Sequence, residues 1–122
     1  MPKPNGPQFQ PIILKNQFGR ERTFKALYHG TVNPIPENEN IIPASHRHPE
    51  GIGRKTAVAT PSLSVAKRFA GHPEGYVYRV EPLDRDDMNS TWYQPIRYWR
   101  KGAIEVPSNK GFRIIEQIHP KS

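Results

Sequence analysis

Prolines and glycines interrupt this chain so often that its secondary structure elements are expected to be short. The 122 residues include 14 prolines and 9 glycines. A proline lacks a backbone donor and fixes φ, whereas a glycine permits the conformations that tight turns need. The apolar residues between these breaks fall in short groups, with no repeat or extended heptad pattern. The sequence therefore predicts one domain in which short strands dominate.

Five segments between the breaks have the alternating or β-branched composition of strands. They are residues 24–28, 56–60, 76–80, 102–106 and 112–118. One helix is predicted from Leu63 to Ala70, between a capping residue at Ser62 and the stop signal Gly71. Residues 32–42, with two prolines and three asparagines, are predicted to form a loop with at most one helical turn. The combination predicts an α+β fold, with mainly short strands in two packed sheets and one or two short helices.

Composition limits both the chemistry and the location of the protein. Cysteine is absent, which excludes disulfides, thiolate metal sites and a cysteine nucleophile. No apolar run approaches the roughly 20 residues of a transmembrane helix, and the Pro-rich start lacks the pattern of a secretory signal. We therefore expect a soluble protein that acts in the cytosol. Residues 1–22 are predicted to be a flexible leader, residues 23–119 the folded domain and residues 120–122 a tail.

Basic residues outnumber acidic residues in this chain. Lysine and arginine total 18 against 11 acids, which gives a formal charge of +7. Such a charge favours polyanions or anionic small molecules such as dinucleotides. The basic residues are spread along the chain without forming a block, so a charge that only maintains solubility is an equal alternative.

The first motif that could take part in binding or catalysis is Tyr28-His29-Gly30-Thr31. It ends a predicted strand with an imidazole, followed by a glycine whose backbone a ligand can approach closely. The alternative for His29 is a structural histidine that is hydrogen-bonded at the end of a strand. The motif becomes informative only in combination with others.

Two further motifs follow along the chain. Thr60 and Ser62 place hydroxyls between a small strand and the predicted helix, where their ordinary role is capping. Glu105 lies between Ile104 and Val106 in an apolar strand, although strand alternation also allows it to face solvent. A carboxylate in such an apolar context is a candidate for catalysis.

In this order, the three motifs and the strand over residues 76–82 resemble the ADP-ribosyltransferase superfamily. The resemblance covers residues 27–118, and the Tyr-Val-Tyr-Arg-Val-Glu-Pro strand and the His-Gly-Thr start are similar to the small bacterial members that modify antibiotics. It implies a mono-ADP-ribosyltransferase that uses NAD as co-substrate and serves as the catalytic domain of a toxin or effector. It also implies an NAD cleft between the two sheets, a protein or nucleic-acid acceptor, and a possible cognate immunity or antitoxin protein.

The resemblance assigns roles to individual residues. Glu105 corresponds to the glutamate that stabilises the oxocarbenium-like cation on the ribose, and His29 to the residue that positions NAD. The implied NAD-binding residues are His29, Gly30, Thr31, Thr60 and Ser62, with Tyr76 or Tyr78 as candidates to stack on nicotinamide. Ala103 stands where many toxin members have Gln or Glu two positions before the catalytic residue. Arginine is therefore not expected as the acceptor.

The segment ahead of Glu105 is rich in aromatic and basic residues, and the family places a loop there that meets the acceptor. The implied acceptor contacts are Trp92, Tyr93, Tyr98 and Trp99. Interleaved arginine and aromatic side chains could stack on bases and neutralise phosphates, which suits a nucleic-acid acceptor. Ordinary core packing of these aromatic residues is the alternative.

Other functions remain open. Ala103 is also compatible with an NAD glycohydrolase, in which water replaces the acceptor. A non-enzymatic RNA-binding module would use the positive charge and the aromatic segment alone. The RNA 2′-phosphotransferases share a similar His-Gly-Thr start, but their array of arginines is not found in order here. His46, His48 and His72 lack cysteine or carboxylate partners at suitable spacing, so no metal site is predicted.

Overall fold

The computed structural model describes residues 10–36, 38–47, 50–51, 53–97, 99 and 102–120, and these residues form an α+β fold, as predicted. Within this part of the chain there are eight strands and two helices. The elements are β1 Ile12–Lys15, β2 Glu21–Phe24, β3 Leu27–Thr31, α1 Ala44–Arg47, β4 Ala57–Ala59, α2 Leu63–Ala70, β5 Tyr76–Pro82, β6 Gln94–Pro95, β7 Ile104–Ser108 and β8 Phe112–His119.

The strands of the described residues form three small antiparallel sheets, where two were predicted. β1 pairs with β2, β5 lies between β3 and β8, and β7 lies between β4 and β6. Tyr28 and Thr60 exchange backbone hydrogen bonds of 2.7 and 2.8 Å, which join β3 to the end of β4. This junction brings the His29 motif next to the sheet that contains β7.

Helix α2 has the limits that its sequence predicts. The Ser62 hydroxyl accepts a hydrogen bond from the Val65 backbone N–H at 3.3 Å, and Gly71 ends the helix in the left-handed conformation with φ of 79°. Ala66 and Ala70 are buried. A Cβ atom on Gly30 would overlap the Ala66 carbonyl group, so the missing side chain of Gly30 lets α2 lie directly on β3.

The prediction of a flexible leader over residues 1–22 is wrong for the second half of that range. Residues 12–24 form the β1–β2 hairpin, in which Ile12, Leu14 and Phe24 are buried in the main core. Alternation along β1 places Ile13 on the exposed face, with 52% of its surface accessible. The hairpin is therefore part of the folded domain.

Other boundaries shift by a few residues. The predicted strand 24–28 is divided between β2 and β3, and the predicted strand 102–106 begins at Ile104 and continues to Ser108. The described residues of the 32–42 segment contain no helix, and Ile41 pairs with Phe112 through an isolated bridge. In the described part of the chain, no helix has the length and apolar character that crossing a membrane requires.

Candidate active site

A cleft of about 950 Å³ lies beside the junction of the sheets. His29 from β3 and Glu105 from β7 both line it, together with Gly30, Thr31 and Thr60. Its volume falls within the roughly 300–1,000 Å³ that small-molecule sites usually have. The structure therefore brings the imidazole and the carboxylate singled out in the sequence to the same concave surface.

The orientation of His29 is fixed by a backbone contact. Its Nδ1 lies 2.7 Å from the Val58 carbonyl oxygen on β4. A carbonyl oxygen only accepts hydrogen bonds, so Nδ1 carries a proton and the neutral ring has its lone pair on Nε2. His29 thus has a structural bond and also lines the cleft.

Glu105 is held by a side chain that the sequence did not single out. The Gln94 Nε2 amide donates a hydrogen bond of 2.6 Å to Glu105 Oε1, and the two residues are register partners of β6 and β7. The Trp92 indole N–H donates in turn to Gln94 Oε1 at 3.4 Å. Because Ile104 and Val106 are buried, alternation turns the half-buried Glu105 to the opposite face, which is the cleft side. Gln94 belongs to the aromatic segment of the sequence, but only the pairing of β6 with β7 reveals Glu105 as its partner.

Several of the predicted NAD contacts require correction. Ser62 caps α2 and does not line the cleft. Thr60 does line it, but its buried hydroxyl already donates to the Ile104 carbonyl at 2.8 Å. Tyr78 is buried, and its hydroxyl accepts a hydrogen bond of 2.9 Å from the Ile35 backbone N–H. Tyr76 packs against the main core. The two tyrosines proposed to stack on nicotinamide therefore lie outside the cleft lining.

The predicted acceptor residues divide between core and cleft. Tyr93 lines the cleft but is buried, packs edge-on against Phe24 and donates its hydroxyl to the Arg20 carbonyl at 3.0 Å. Trp92 and Trp99 are half-buried and line the cleft. Tyr98 lies outside the described residues. Core packing therefore accounts for Tyr93, whereas both tryptophans are placed where they could contact a ligand.

The tip of the β1–β2 hairpin also reaches the cleft. Asn16, Gln17 and Phe18 line it, and Phe18 is 83% exposed. The Asn16 side-chain oxygen accepts hydrogen bonds from the backbone N–H groups of Phe18 and Arg20 at 2.9 and 3.0 Å, which stabilises the turn. Sequence reasoning missed these residues because it assigned the segment to the leader.

A second cleft of about 620 Å³ adjoins the first. Both clefts are lined by His29, Thr31, Arg54 and Val58. Arg54 therefore supplies a guanidinium group to the part of the lining that the two surfaces share. This arrangement can accommodate an elongated anionic ligand that contacts both surfaces.

The remaining clusters from the sequence do not contribute to the cleft. The rings of His72 and His119 lie 4.9 Å apart, and His48 lies outside the described residues. Among the residues with described positions, no group of three His, Asp or Glu could hold a metal ion. Asp84, Asp86 and Asp87 form a further acidic cluster, in a turn where Asp84 accepts hydrogen bonds from the backbone N–H groups of the other two. The hydrogen bond from the Lys110 ammonium group lowers the pKa of Asp84.

No protein family, curated protein or solved structure matches this chain significantly. The function therefore has to be inferred from the residues of the cleft.

Proposed function

We propose that this protein is an NAD-dependent mono-ADP-ribosyltransferase, which releases nicotinamide and transfers ADP-ribose to a macromolecular acceptor. The observation that supports this proposal is that His29 and Glu105 line one cleft of about 950 Å³. The two residues occupy the positions that the resemblance to ADP-ribosyltransferases assigns to NAD binding and catalysis. A role as toxin or effector is part of the same proposal.

The proposed chemistry requires a carboxylate at the reacting carbon. Cleavage of the bond between nicotinamide and ribose develops positive charge on the ribose, as in glycoside hydrolysis. Glu105 would stabilise this charge from its place on β7. Its hydrogen bond to the Gln94 amide restricts the carboxylate to one orientation, so less reorganisation is needed as the charge develops.

NAD binding would use the surfaces on both sides of His29. The imidazole, fixed through Nδ1 to the Val58 carbonyl, would position the ribose, and the Arg54 guanidinium would neutralise the diphosphate. The adjoining cleft of about 620 Å³ would receive one end of the dinucleotide. None of these roles requires a metal ion.

An NAD glycohydrolase is the second candidate, and Ala103 favours it. Ala103 lies two positions before Glu105, and its methyl group offers no hydrogen bond to an acceptor. Water could then attack the ribose in place of the acceptor. A binding module without catalytic activity would use the same surface without consuming NAD.

Incubation with radiolabelled NAD, with and without cell lysate, separates these functions. The transferase is expected to label macromolecules, the hydrolase to release nicotinamide without lysate, and a binding module to do neither. Glu105→Gln is expected to reduce nicotinamide release by about 100-fold or more, because it removes the charge that stabilises the transition state. Glu21→Gln, an exposed acid on β2 outside the cleft lining, is the matched control. An unchanged rate for Glu105→Gln would refute the assignment.

A further inference from the structure

The cleft has an aromatic rim that NAD cleavage by itself does not require. We use this name for four cleft-lining side chains from three segments of the fold: Phe18, Phe69, Trp92 and Trp99. Phe18 and Phe69 are 83% and 43% exposed, and exposed large apolar side chains that line one concave surface are characteristic of binding sites. Their grouping indicates a contact surface for planar apolar groups.

One side of the rim combines aromatic rings with a guanidinium group. The rings of Phe69 and Trp99 have their centroids 5.5 Å apart, and the Arg68 guanidinium carbon lies 4.5 Å from the Trp99 ring centroid. Arginine and aromatic rings are the groups on which unpaired nucleobases stack. Phe18 supplies a further aromatic face from the β1–β2 hairpin.

The charges around the rim fit a phosphodiester chain. In addition to Arg54, which the NAD diphosphate would occupy, Arg97 lines the cleft and Arg68 lies over Trp99. Glu105 is the one acidic residue among the described lining residues. The whole chain carries a formal charge of +7. A protein segment as acceptor would explain the aromatic contacts but not this excess of positive charge, so a nucleic acid is favoured.

We propose that the acceptor is an unpaired base of a single-stranded nucleic acid, which stacks on the aromatic rim while Arg68 and Arg97 contact its phosphates. This inference rests on the proposed transferase function. A base nitrogen attacks C1′ of the nicotinamide-bearing ribose, and the electrons of the breaking C1′–N bond leave with neutral nicotinamide. The nitrogen releases its proton to solvent, so the products are ADP-ribosylated base, nicotinamide and a proton.

Binding is tested first with the full-length Glu105→Gln protein, so that catalysis does not change the ligand. Fluorescence anisotropy is measured with 12-nucleotide single-stranded DNA, single-stranded RNA and duplex DNA, and preferential binding of one single strand is expected. The single strand that binds more tightly shows whether the acceptor is DNA or RNA. Adding Phe18→Ala or Trp99→Ala should weaken binding by about 5- to 150-fold, given the usual contribution of stacking on an aromatic side chain. Leu83→Ala, which removes an exposed apolar residue outside the cleft lining, should leave binding unchanged. Equal affinity for duplex and single strands, or no loss in either rim variant, would overturn the proposal.

Transfer is then tested with the wild-type protein, radiolabelled NAD and the same oligonucleotides. Label on the single-stranded oligonucleotide supports the proposal. Nicotinamide release with label on lysate proteins and none on oligonucleotides would overturn the acceptor assignment and leave the transferase intact. Oligonucleotide binding without nicotinamide release would instead overturn the proposed function, and the acceptor assignment with it.

Discussion

At the scale of single residues, the environment of Glu105 explains how a carboxylate in an apolar strand can be held in one orientation. Its neighbours Ile104 and Val106 anchor the strand in the core, and Gln94 donates a hydrogen bond of 2.6 Å to the carboxylate from the paired strand. Trp92 contacts the oxygen of the same amide at 3.4 Å and so fixes which end of the amide faces Glu105. The three side chains form one hydrogen-bonded series, in which Gln94 would act as a positioning residue for the proposed reaction.

Gln94→Leu is expected to lower kcat for nicotinamide release with little change in the KM for NAD. The substitution removes the hydrogen bond that orients Glu105 and leaves in place His29 and Arg54, the side chains proposed to hold the dinucleotide. A hydrogen bond to a charged group contributes about 1.5–3 kcal/mol, which corresponds to a decrease of roughly 10- to 150-fold. Steady-state kinetics check this prediction, with Gln117→Leu on the exposed face of β8 as the matched control. A change in KM alone would contradict the positioning role.

Some residue roles could not be read from the sequence because their partners are distant. Tyr78 was a reasonable stacking candidate in its strand, but its hydroxyl is bonded to the Ile35 backbone, 43 positions away. Gln94 likewise can be recognised as the partner of Glu105 only from the pairing of β6 with β7. The positions of His29 and Glu105 in one cleft follow from the sheet junction, which local patterns do not encode.

At the scale of secondary structure elements, the β1–β2 hairpin shows how a buried face identifies a folded segment. Leu14→Ala is expected to reduce the free energy of unfolding by about 2–5 kcal/mol, because it leaves a cavity at a side chain that is 2% exposed. Ile13→Ala, on the opposite face of the same strand, should have an effect below about 1 kcal/mol. Urea denaturation of the two variants measures the difference. Equal stabilities would mean that the hairpin does not pack on the core.

The contact between α2 and β3 gives a second prediction at this scale. Gly30→Ala is expected to reduce the free energy of unfolding by about 3 kcal/mol, since the new methyl group overlaps the Ala66 carbonyl and the helix must move. Gly71→Ala meets no neighbouring atom and suffers only from its left-handed φ of 79°, so its cost should be about 1–2 kcal/mol. Denaturation without NAD checks both values. If Gly30→Ala were fully stable and only NAD binding weakened, Gly30 would serve ligand approach alone.

The elements that were predicted best are those with strong local signals. Helix α2 has a cap, an amphipathic face and a terminal glycine within ten residues, 62–71, and β5 lies directly between Gly75 and Leu83. The hairpin was missed because its strands have only four residues each and follow a Pro-rich start. Residues 25–26, which separate β2 from β3, include no proline or glycine. The predicted strand 24–28 therefore runs across this break. Short strands depend on tertiary pairing more than on their own sequence.

At the scale of the whole molecule, the cleft draws its lining from all three sheets of the described residues. Phe18 comes from the β1–β2 turn, His29 from β3 and Glu105 from β7. A ligand in this cleft would therefore contact segments from each of these sheets at once. Ligand binding should therefore stabilise the entire fold, and the stabilisation should not be confined to one loop.

NAD is accordingly expected to raise the thermal unfolding midpoint of the Glu105→Gln protein in a concentration-dependent way. A ligand that binds only the folded state adds about 1.4 kcal/mol to the free energy of unfolding for each tenfold increase above its Kd. Glu105→Gln is used because this substitution is expected to slow NAD consumption during the measurement. Adding His29→Ala should remove most of the stabilisation, since it deletes a side chain that lines both clefts, whereas adding Leu83→Ala should preserve it. Differential scanning fluorimetry over a range of NAD concentrations measures the shift, and a midpoint independent of NAD would argue against any dinucleotide site in this fold.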